Sequence, residues 1–218
     1  MNIKKSLQKY KHAWVFLYVL IYLPWFMYLE KHVTYGYHLI HVSLDDKIPF
    51  IEYFIVPYLL WFAFIALTTG YFFFTDKKGF YKLVTFLFTG MTLFLIFSTF
   101  YPNGLALRPD TFVRDNIFVD MVKALYRTDT PTNVLPSIHV FNTIGAYVAI
   151  SQSDRLKNKK GIRYGSLVLS ISIILATMFL KQHSVVDVVV AGVIAIVLYQ
   201  VVYVTEPKKV TSLSKQPI

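Results

Sequence analysis

Three ionisable side chains interrupt an apolar part of the chain, in the segment KQHSVVD at residues 181–187. His183 and Asp187 are four residues apart, so on a helix they lie on one face, about one turn from each other. A carboxylate in that position can orient an imidazole. A charged residue deep in a membrane span costs about 2.5–3.5 kcal/mol, and less near the interface. The segment therefore indicates either a catalytic group or a polar turn in which Lys181 extends towards the interface.

Two further polar clusters bracket the longest connection, which runs from residue 101 to 136. Arg108 lies near its start, in YPNGLALRPD, and Ser137 and His139 follow its end, where a new apolar stretch begins. Successive membrane spans alternate in direction, so the end of the third, the start of the fourth, the end of the fifth and the start of the sixth share one side. The residues that this arrangement can bring together are Arg108, Ser137, His139, Lys181, His183 and Asp187.

That set of side chains suits phosphoryl transfer. Arg108 and Lys181 would neutralise phosphate oxygens, and Ser137 and amides at the start of a helix would add hydrogen bonds. One neutral histidine can attack phosphorus while the other, protonated, gives its proton to the leaving oxygen. The residues alone leave open which histidine attacks. This chemistry needs no metal and no other cofactor.

The elements that would hold these groups are membrane spans. Of the 218 residues 56% are hydrophobic, and they fall in long blocks rather than in an alternating pattern. A bilayer core of roughly 30 Å needs about 20 helical residues. The six stretches that are nearly free of charge are Ala13–Tyr28, Ile51–Phe74, Leu83–Phe100, His139–Ser151, Tyr164–Leu180 and Val185–Val204.

The sequence thus predicts an all-α polytopic membrane protein with six transmembrane helices in one bundle. Several connections are short and no internal repeat is present, so residues 1–218 are expected to form a single catalytic domain. The basic N-terminus is similar to a secretory signal, but no cleavage site follows the first apolar run, which favours a retained span. The chain has no cysteine, which excludes disulfides and thiolate chemistry.

The net charge of +10 has a membrane explanation rather than a nucleic-acid one. The N-tail, the two loops at 75–82 and 152–163 and the C-tail carry 15 of the 22 basic residues and three acids, a net charge of +12. The opposite side carries a net charge of −2. We therefore expect a multi-pass protein of the cell membrane with both termini cytoplasmic and the polar clusters extracytoplasmic. Membrane lipids are expected partners, and nucleic acid is not.

The long connection has helical periodicity of its own. Apolar residues between 112 and 126 recur at helical spacing, which predicts an extracytoplasmic amphipathic helix over Thr111–Arg127 at the membrane interface. A second, shorter segment of this kind is predicted within Glu30–Lys47. It contains His32, His38 and His41, which no further ligands accompany, so surface packing is favoured over a metal site.

Three motifs, LPSIHV (135–140), KQHSVVDVVVAG (181–192) and RPD (108–110), resemble the type 2 phosphatidic acid phosphatase superfamily. Its members are six-span membrane lipid phosphatases and related phosphotransferases. The resemblance implies that His183 is the nucleophile that forms a phosphohistidine and that Asp187 orients it. It further implies that His139 is the general acid and that Arg108 and Ser137 bind phosphate.

The chain departs from the common pattern of that superfamily where further cations are expected. Tyr101 stands where the pattern has a lysine, Ala176 and Thr177 stand where it has Ser-Arg, and Ile138 replaces the usual glycine before the first histidine. Lys181 is the candidate substitute for the cations, and Arg127 and Asn133 are further candidates for polar contacts. The KQH…D form resembles the subgroup related to inositol phosphorylceramide and sphingomyelin synthases, which pass a phosphoryl headgroup to an alcohol.

Three functions remain as hypotheses. The first is hydrolysis of a lipid phosphate at the outer membrane face, with phosphatidic acid, phosphatidylglycerol phosphate or a polyprenyl pyrophosphate as the substrate. The second is a phosphotransferase that uses the same phosphohistidine but a lipid or sugar alcohol instead of water. The third is a proton-coupled transporter with buried histidine and aspartate as a relay, although the repeated halves typical of transporters are missing. The sequence does not fix the headgroup or the oligomeric state.

Overall fold

The structure, a computed structural model, describes residues 8–205, and these are mostly helical. Short 3₁₀ segments precede two of the helices (Lys11–Tyr18 and Glu52–Phe54), and a π-helical turn, Gln200–Val204, ends the last one. The basic residues at 4, 5, 208, 209 and 215 and the acid at 206, which enter the charge bias, lie outside the described residues. The helices are α1 (Val19–His32), α2 (Ser43–Lys47), α3 (Ile55–Thr75), α4 (Lys77–Phe100), α5 (Ile117–Thr128), α6 (Ile138–Gln152), α7 (Lys160–Phe179) and α8 (Val185–Tyr199).

Five helical stretches of the described residues are long and apolar enough to cross a membrane. Many of their large apolar side chains face outward; Leu20 and Leu67 are 70% and 74% exposed. Side chains of this kind are stable on the outside of a bundle only when lipid surrounds it. The protein is therefore membrane-embedded, as predicted. The five stretches are Lys11–His32, Glu52–Thr75, Lys77–Phe100, Lys160–Phe179 and Val185–Val204.

The predicted fourth span is the exception. It corresponds to α6, whose 15 residues extend about 22 Å, less than the roughly 30 Å of a bilayer core. This helix lies at the centre of the bundle, where it packs against α3, α4, α7 and α8. Glycines allow the closest approach: a side chain at Gly90 of α4 would overlap Phe141 of α6, and one at Gly145 would press on Phe86. The short central helix is thus covered by its longer neighbours.

The amphipathic helix of the long connection is shorter than predicted. Its first turn is capped by Asn116, whose Oδ1 accepts hydrogen bonds from the amides of Phe118 and Val119 at 3.0 and 3.1 Å. The predicted start at residue 111 is wrong because residues 111–116 are not helical and Arg114 instead forms a bidentate ion pair with Glu52. The buried face of α5 packs on α3 and on the end of α7.

The second predicted amphipathic segment is mostly irregular. Within residues 33–47 only α2 is helical, and the two-residue strand β1 (His38–Leu39) pairs in parallel with β2 (Asn103–Gly104). This pairing ties the connection after α1 to the one after α4. His32, His38 and His41 are all exposed.

Candidate active site

The two histidines of the predicted motifs lie together at one end of the bundle. His139 is in the first turn of α6 and His183 directly precedes α8, and their ring centroids are 5.9 Å apart. Both line a cavity of about 390 Å³ that lies among α1, α3, α4 and the segment after α5. Two imidazoles that are 44 residues apart in sequence therefore face one ligand-sized space.

His183 is oriented by the start of α8. Its Nδ1 lies 3.3 Å from Oδ2 of Asp187, and the same oxygen accepts the amide of Ser184 at 2.8 Å in a capping box. Asp187 is completely buried, and His183 is 8% exposed. A carboxylate that accepts the Nδ1 proton leaves the lone pair on Nε2 of the imidazole. The predicted contact between these two residues is present.

His139 is flanked by aromatic rings of α3. The Tyr58 ring stacks on the imidazole at a centroid distance of 4.7 Å, and the Trp61 ring lies at 4.4 Å. Thr143 donates from Oγ1 to the backbone carbonyl of His139 at 2.6 Å, which reinforces the first turn of α6. The aromatic rings thus hold the His139 ring in one orientation beside His183.

Asp45, which sequence reasoning missed, anchors the turn that presents His183. Its carboxylate accepts the hydroxyl of Ser184 at 2.7 Å and the amide of Val185 at 2.8 Å, and the residue is 1% exposed. A buried carboxylate at a helix N-terminus satisfies free amides and interacts favourably with the helix dipole. Nothing in the sequence links residue 45 with residues 184–185, because the contact spans about 140 residues.

We expect Asp45→Asn to lower the free energy of unfolding by about 1–3 kcal/mol, because an amide NH₂ would replace one acceptor and face a donor. Thermal unfolding in detergent measures the change. The matched control is Asp46→Asn, because Asp46 is exposed and pairs with His41 on the surface. Asp46→Asn should alter the free energy of unfolding by no more than about 0.5 kcal/mol. Equal destabilisation by the two variants would contradict the anchoring role of Asp45.

Lys181 is not brought to the cavity. Its Nζ donates to the backbone carbonyls of Asp45 and Ile48, at 2.7 and 2.5 Å, and the residue does not line the cavity of the two histidines. Burial lowers the pKa of this lysine, and the carboxylates of Asp45 and Asp46 oppose that effect. The expectation that Lys181 meets phosphate is therefore corrected, because the two carbonyls already occupy its ammonium group.

Arg108 lies one layer behind the cavity wall. Its Nη1 donates to the carbonyls of Tyr126 and Asp129, and its Nη2 donates to Oε1 of Gln182 at 2.7 Å. The guanidinium also lies over the Tyr126 ring, 4.6 Å from its centroid. The predicted cation is thus next to the site, and it contacts two residues that line the cavity, Asp129 and Gln182.

The remaining predicted residues divide between the cavity and other places. Ser137 is completely buried and caps α6, where its Oγ accepts the amide of Val140 at 3.3 Å. Arg127 is exposed and lies outside the cavity lining, so it too is not brought to the site. Asn133 does line the cavity, and its Nδ2 donates to Oε1 of Glu30 at 3.1 Å.

Two carboxylates form a wall of the cavity that the sequence did not predict. Glu30, at the end of α1, accepts the hydroxyl of Thr130 at 2.5 Å as well as the amide of Asn133. Asp129 lies beside it; burial raises the pKa of the Asp129 carboxyl, the Arg108 charge opposes this, and Glu30 adds to the rise. Among the described residues, no lysine or arginine lines this cavity.

The rest of the cavity is apolar and extends along the helices. The apolar part is lined by α1, α3 and α4, and α1 packs against α4. One end is therefore polar and carries the histidines, whereas the other is suited to hydrocarbon. The side chains of the apolar part are Tyr22, Leu23, Phe26, Phe62 and Phe94.

Comparison with known proteins gives no relative for this arrangement. No family model matches the chain, and neither a curated protein nor a solved structure is significantly similar to it. The site must therefore be interpreted from its own geometry, together with the three short motifs.

Proposed function

We propose that the protein is a lipid phosphate phosphatase of the type 2 phosphatidic acid phosphatase kind, which works through a phosphohistidine. The observation that carries the proposal is the pair of imidazoles, 5.9 Å apart, at the polar end of a cavity whose other end is apolar. A phosphate between the rings would place the lipid tail among the aromatic side chains. The order of the three motifs along the chain supports the same function.

In the first half of the reaction, Nε2 of His183 attacks phosphorus and the bond from phosphorus to the lipid oxygen breaks. His139, protonated, gives its proton to that oxygen, so the lipid alcohol leaves neutral. In the second half, water attacks the phosphohistidine and His139 takes the proton of the water. The phosphorus–nitrogen bond breaks, which releases phosphate and restores both histidines. Asp187 stabilises the positive charge of the His183 ring throughout.

The assay that tests this function measures liberated phosphate with purified protein in detergent. Phosphatidic acid, phosphatidylglycerol phosphate and a polyprenyl pyrophosphate are offered in turn. Release is expected with a chelator present, because the proposed mechanism uses only the two histidines, Asp187 and water. No release from any of these lipids would overturn the proposal.

A phosphotransferase is the second candidate, and the acidic wall is the observation that favours it. Glu30 and Asp129 are hydrogen-bond acceptors in the same cavity as the histidines, and hydroxyl groups of an acceptor alcohol would satisfy them. Candidate alcohols, such as glycerol, inositol and diacylglycerol, are added to the hydrolysis assay. A new phosphomonoester of the added alcohol, formed at the expense of free phosphate, would establish the transferase, and unchanged phosphate release would reject it.

We further propose that α6 completes a six-span topology, with both termini cytoplasmic and the histidines on the outer face. The charge bias supports this orientation, and the residues at the two ends of the bundle are consistent with it. His139 and His183 lie at one end of the bundle, and Asp76 and Asp154 line a separate cavity at the other.

The absence of cysteine from the chain makes this topology directly testable, because an introduced cysteine is the only thiol. Asp115 and Asp154 suit the purpose, since their side chains are 94% and 91% exposed. In intact cells a membrane-impermeant maleimide should label Asp115→Cys at once and Asp154→Cys only after permeabilisation. The reverse pattern would place the site on the cytoplasmic face.

A further inference from the structure

Among the described residues, no lysine or arginine at the cavity surface is placed to bind the phosphate of the proposed reaction. Tyr101 and Thr177 stand where the resemblance implies two cations, and the ammonium group of Lys181 donates to two backbone carbonyls. We propose that Gln182 is a substrate-binding residue whose side-chain amide donates a hydrogen bond to the phosphate. This inference rests on the proposed function and gives a role to Gln182, which lies within the KQH motif but was not assigned a role from it.

The orientation of the Gln182 amide is determined by its neighbour. A guanidinium has only donors, so the atom that faces Nη2 of Arg108 at 2.7 Å must be the oxygen. The NH₂ group is then on the other arm of the amide. Arg108 thereby acts as a positioning residue, because it fixes which end of the glutamine remains for a ligand.

That NH₂ group has no hydrogen-bond partner among the described residues, although Gln182 is only 4% exposed. Buried donors are rarely left unpaired, because the loss costs roughly 1–3 kcal/mol. Gln182 lines the same cavity as His139 and His183, so a ligand bound in this cavity can accept the hydrogen bond of the NH₂ group. A phosphate oxygen accepts such a donor well.

The backbone holds the glutamine beside the nucleophile. The amides of Gln182 and His183 both donate to the carbonyl of Thr177, at 2.9 and 3.0 Å, so the two residues share one rigid turn at the end of α7. A phosphate on Nε2 of His183 is then within reach of the adjacent side chain. Hydrogen bonding from Arg108 also polarises the amide and strengthens its remaining donor.

The test compares Gln182→Glu with Gln182→Met. The glutamate keeps an oxygen for Arg108 but presents an anion where the donor stood, so its kcat/KM for lipid phosphate hydrolysis should fall at least about 100-fold without a loss of thermal stability. The methionine keeps the length of the side chain and removes the amide, and it should lower kcat/KM roughly 10- to 100-fold. Both should raise the inhibition constant of orthovanadate by a similar factor.

Gln152→Glu is the matched control, because the same chemical change there lies at the other end of the bundle, next to Tyr199. It should leave kcat/KM and vanadate inhibition unchanged. If Gln182 only supports Arg108, Gln182→Glu will be fully active while Gln182→Met is impaired, and the inference is overturned although hydrolysis stands. A wild-type protein that hydrolyses none of the lipid phosphates overturns the proposed function itself.

Discussion

Replacement of His183 by alanine should abolish turnover, with a loss in kcat of at least about 10⁴-fold for every lipid phosphate that the wild-type protein hydrolyses. Removal of a covalent nucleophile has effects of this size because no other group takes over its step. The geometry predicts that no neighbour can replace it: His139 is packed between Tyr58 and Trp61. Phosphate release from purified variant and wild-type protein measures the effect.

The control for this variant is His41→Ala, since His41 is exposed and pairs with Asp46 on the surface. It should retain wild-type activity, and both variants should unfold at temperatures close to that of the wild type. Substantial phosphate release by a well-folded His183→Ala protein would mean that another group attacks phosphorus.

Replacement of His139 by alanine should lower kcat for alkyl lipid phosphates about 10²- to 10⁴-fold, the usual contribution of a general acid. The reason is specific to the leaving group, because an alkoxide is too basic to leave without a proton. The nitrophenolate of an aryl phosphate such as p-nitrophenyl phosphate is a weak base and leaves without a proton. We therefore expect a much smaller loss with the aryl substrate, and this difference separates the proton donor from the nucleophile.

The same pair of substrates provides the control, because His183→Ala should be inactive with both. A second check is Trp61→Phe, which keeps an aromatic ring beside His139 and should retain activity with both the alkyl and the aryl substrate. Equal losses of His139→Ala with the alkyl and the aryl substrate would assign His139 a role other than protonation of the leaving oxygen.

Local spacing was sufficient to predict part of the site. The four-residue spacing of His183 and Asp187 predicted their contact, although His183 lies in the turn that precedes α8 and not in the helix itself. The alternation of spans brought His139 to the same end as His183, and five of the six predicted spans correspond to helices long enough to cross a membrane. These features depend on hydrophobic periodicity and chain order, which a sequence displays directly.

Side-chain contacts between residues that are far apart in the sequence were not predictable in this way. Lys181 has a chain position that suits phosphate, but the carbonyls of residues 45 and 48 compete for its ammonium group. Glu30 lies beside Asn133 only because α1 packs next to the segment after α5. A contact across about 100 residues leaves no local signal, so the acidic wall of the cavity could be found only in three dimensions.

The first residue of the amphipathic helix was predicted with a small error. The apolar periodicity begins near residue 112, but the helix begins only after Asn116, because the Asn116 side chain accepts hydrogen bonds from the amides of residues 118 and 119. Asparagine at such a position is a recognised start signal, and it precedes the apolar run Ile117–Phe118. The capping residue was therefore more informative than the hydrophobic pattern.

The central claim is that one phosphate is held between His139 and His183 and becomes bonded to His183. The most direct test is rapid quenching of the protein during turnover of a ³²P-labelled lipid phosphate, followed by peptide mapping. We predict an acid-labile, alkali-stable label on the peptide that contains His183, a longer-lived label when His139 is alanine, and no label in His183→Ala. Active wild-type protein whose label lies on another residue, or that carries none under conditions that preserve phosphohistidine, would contradict the account.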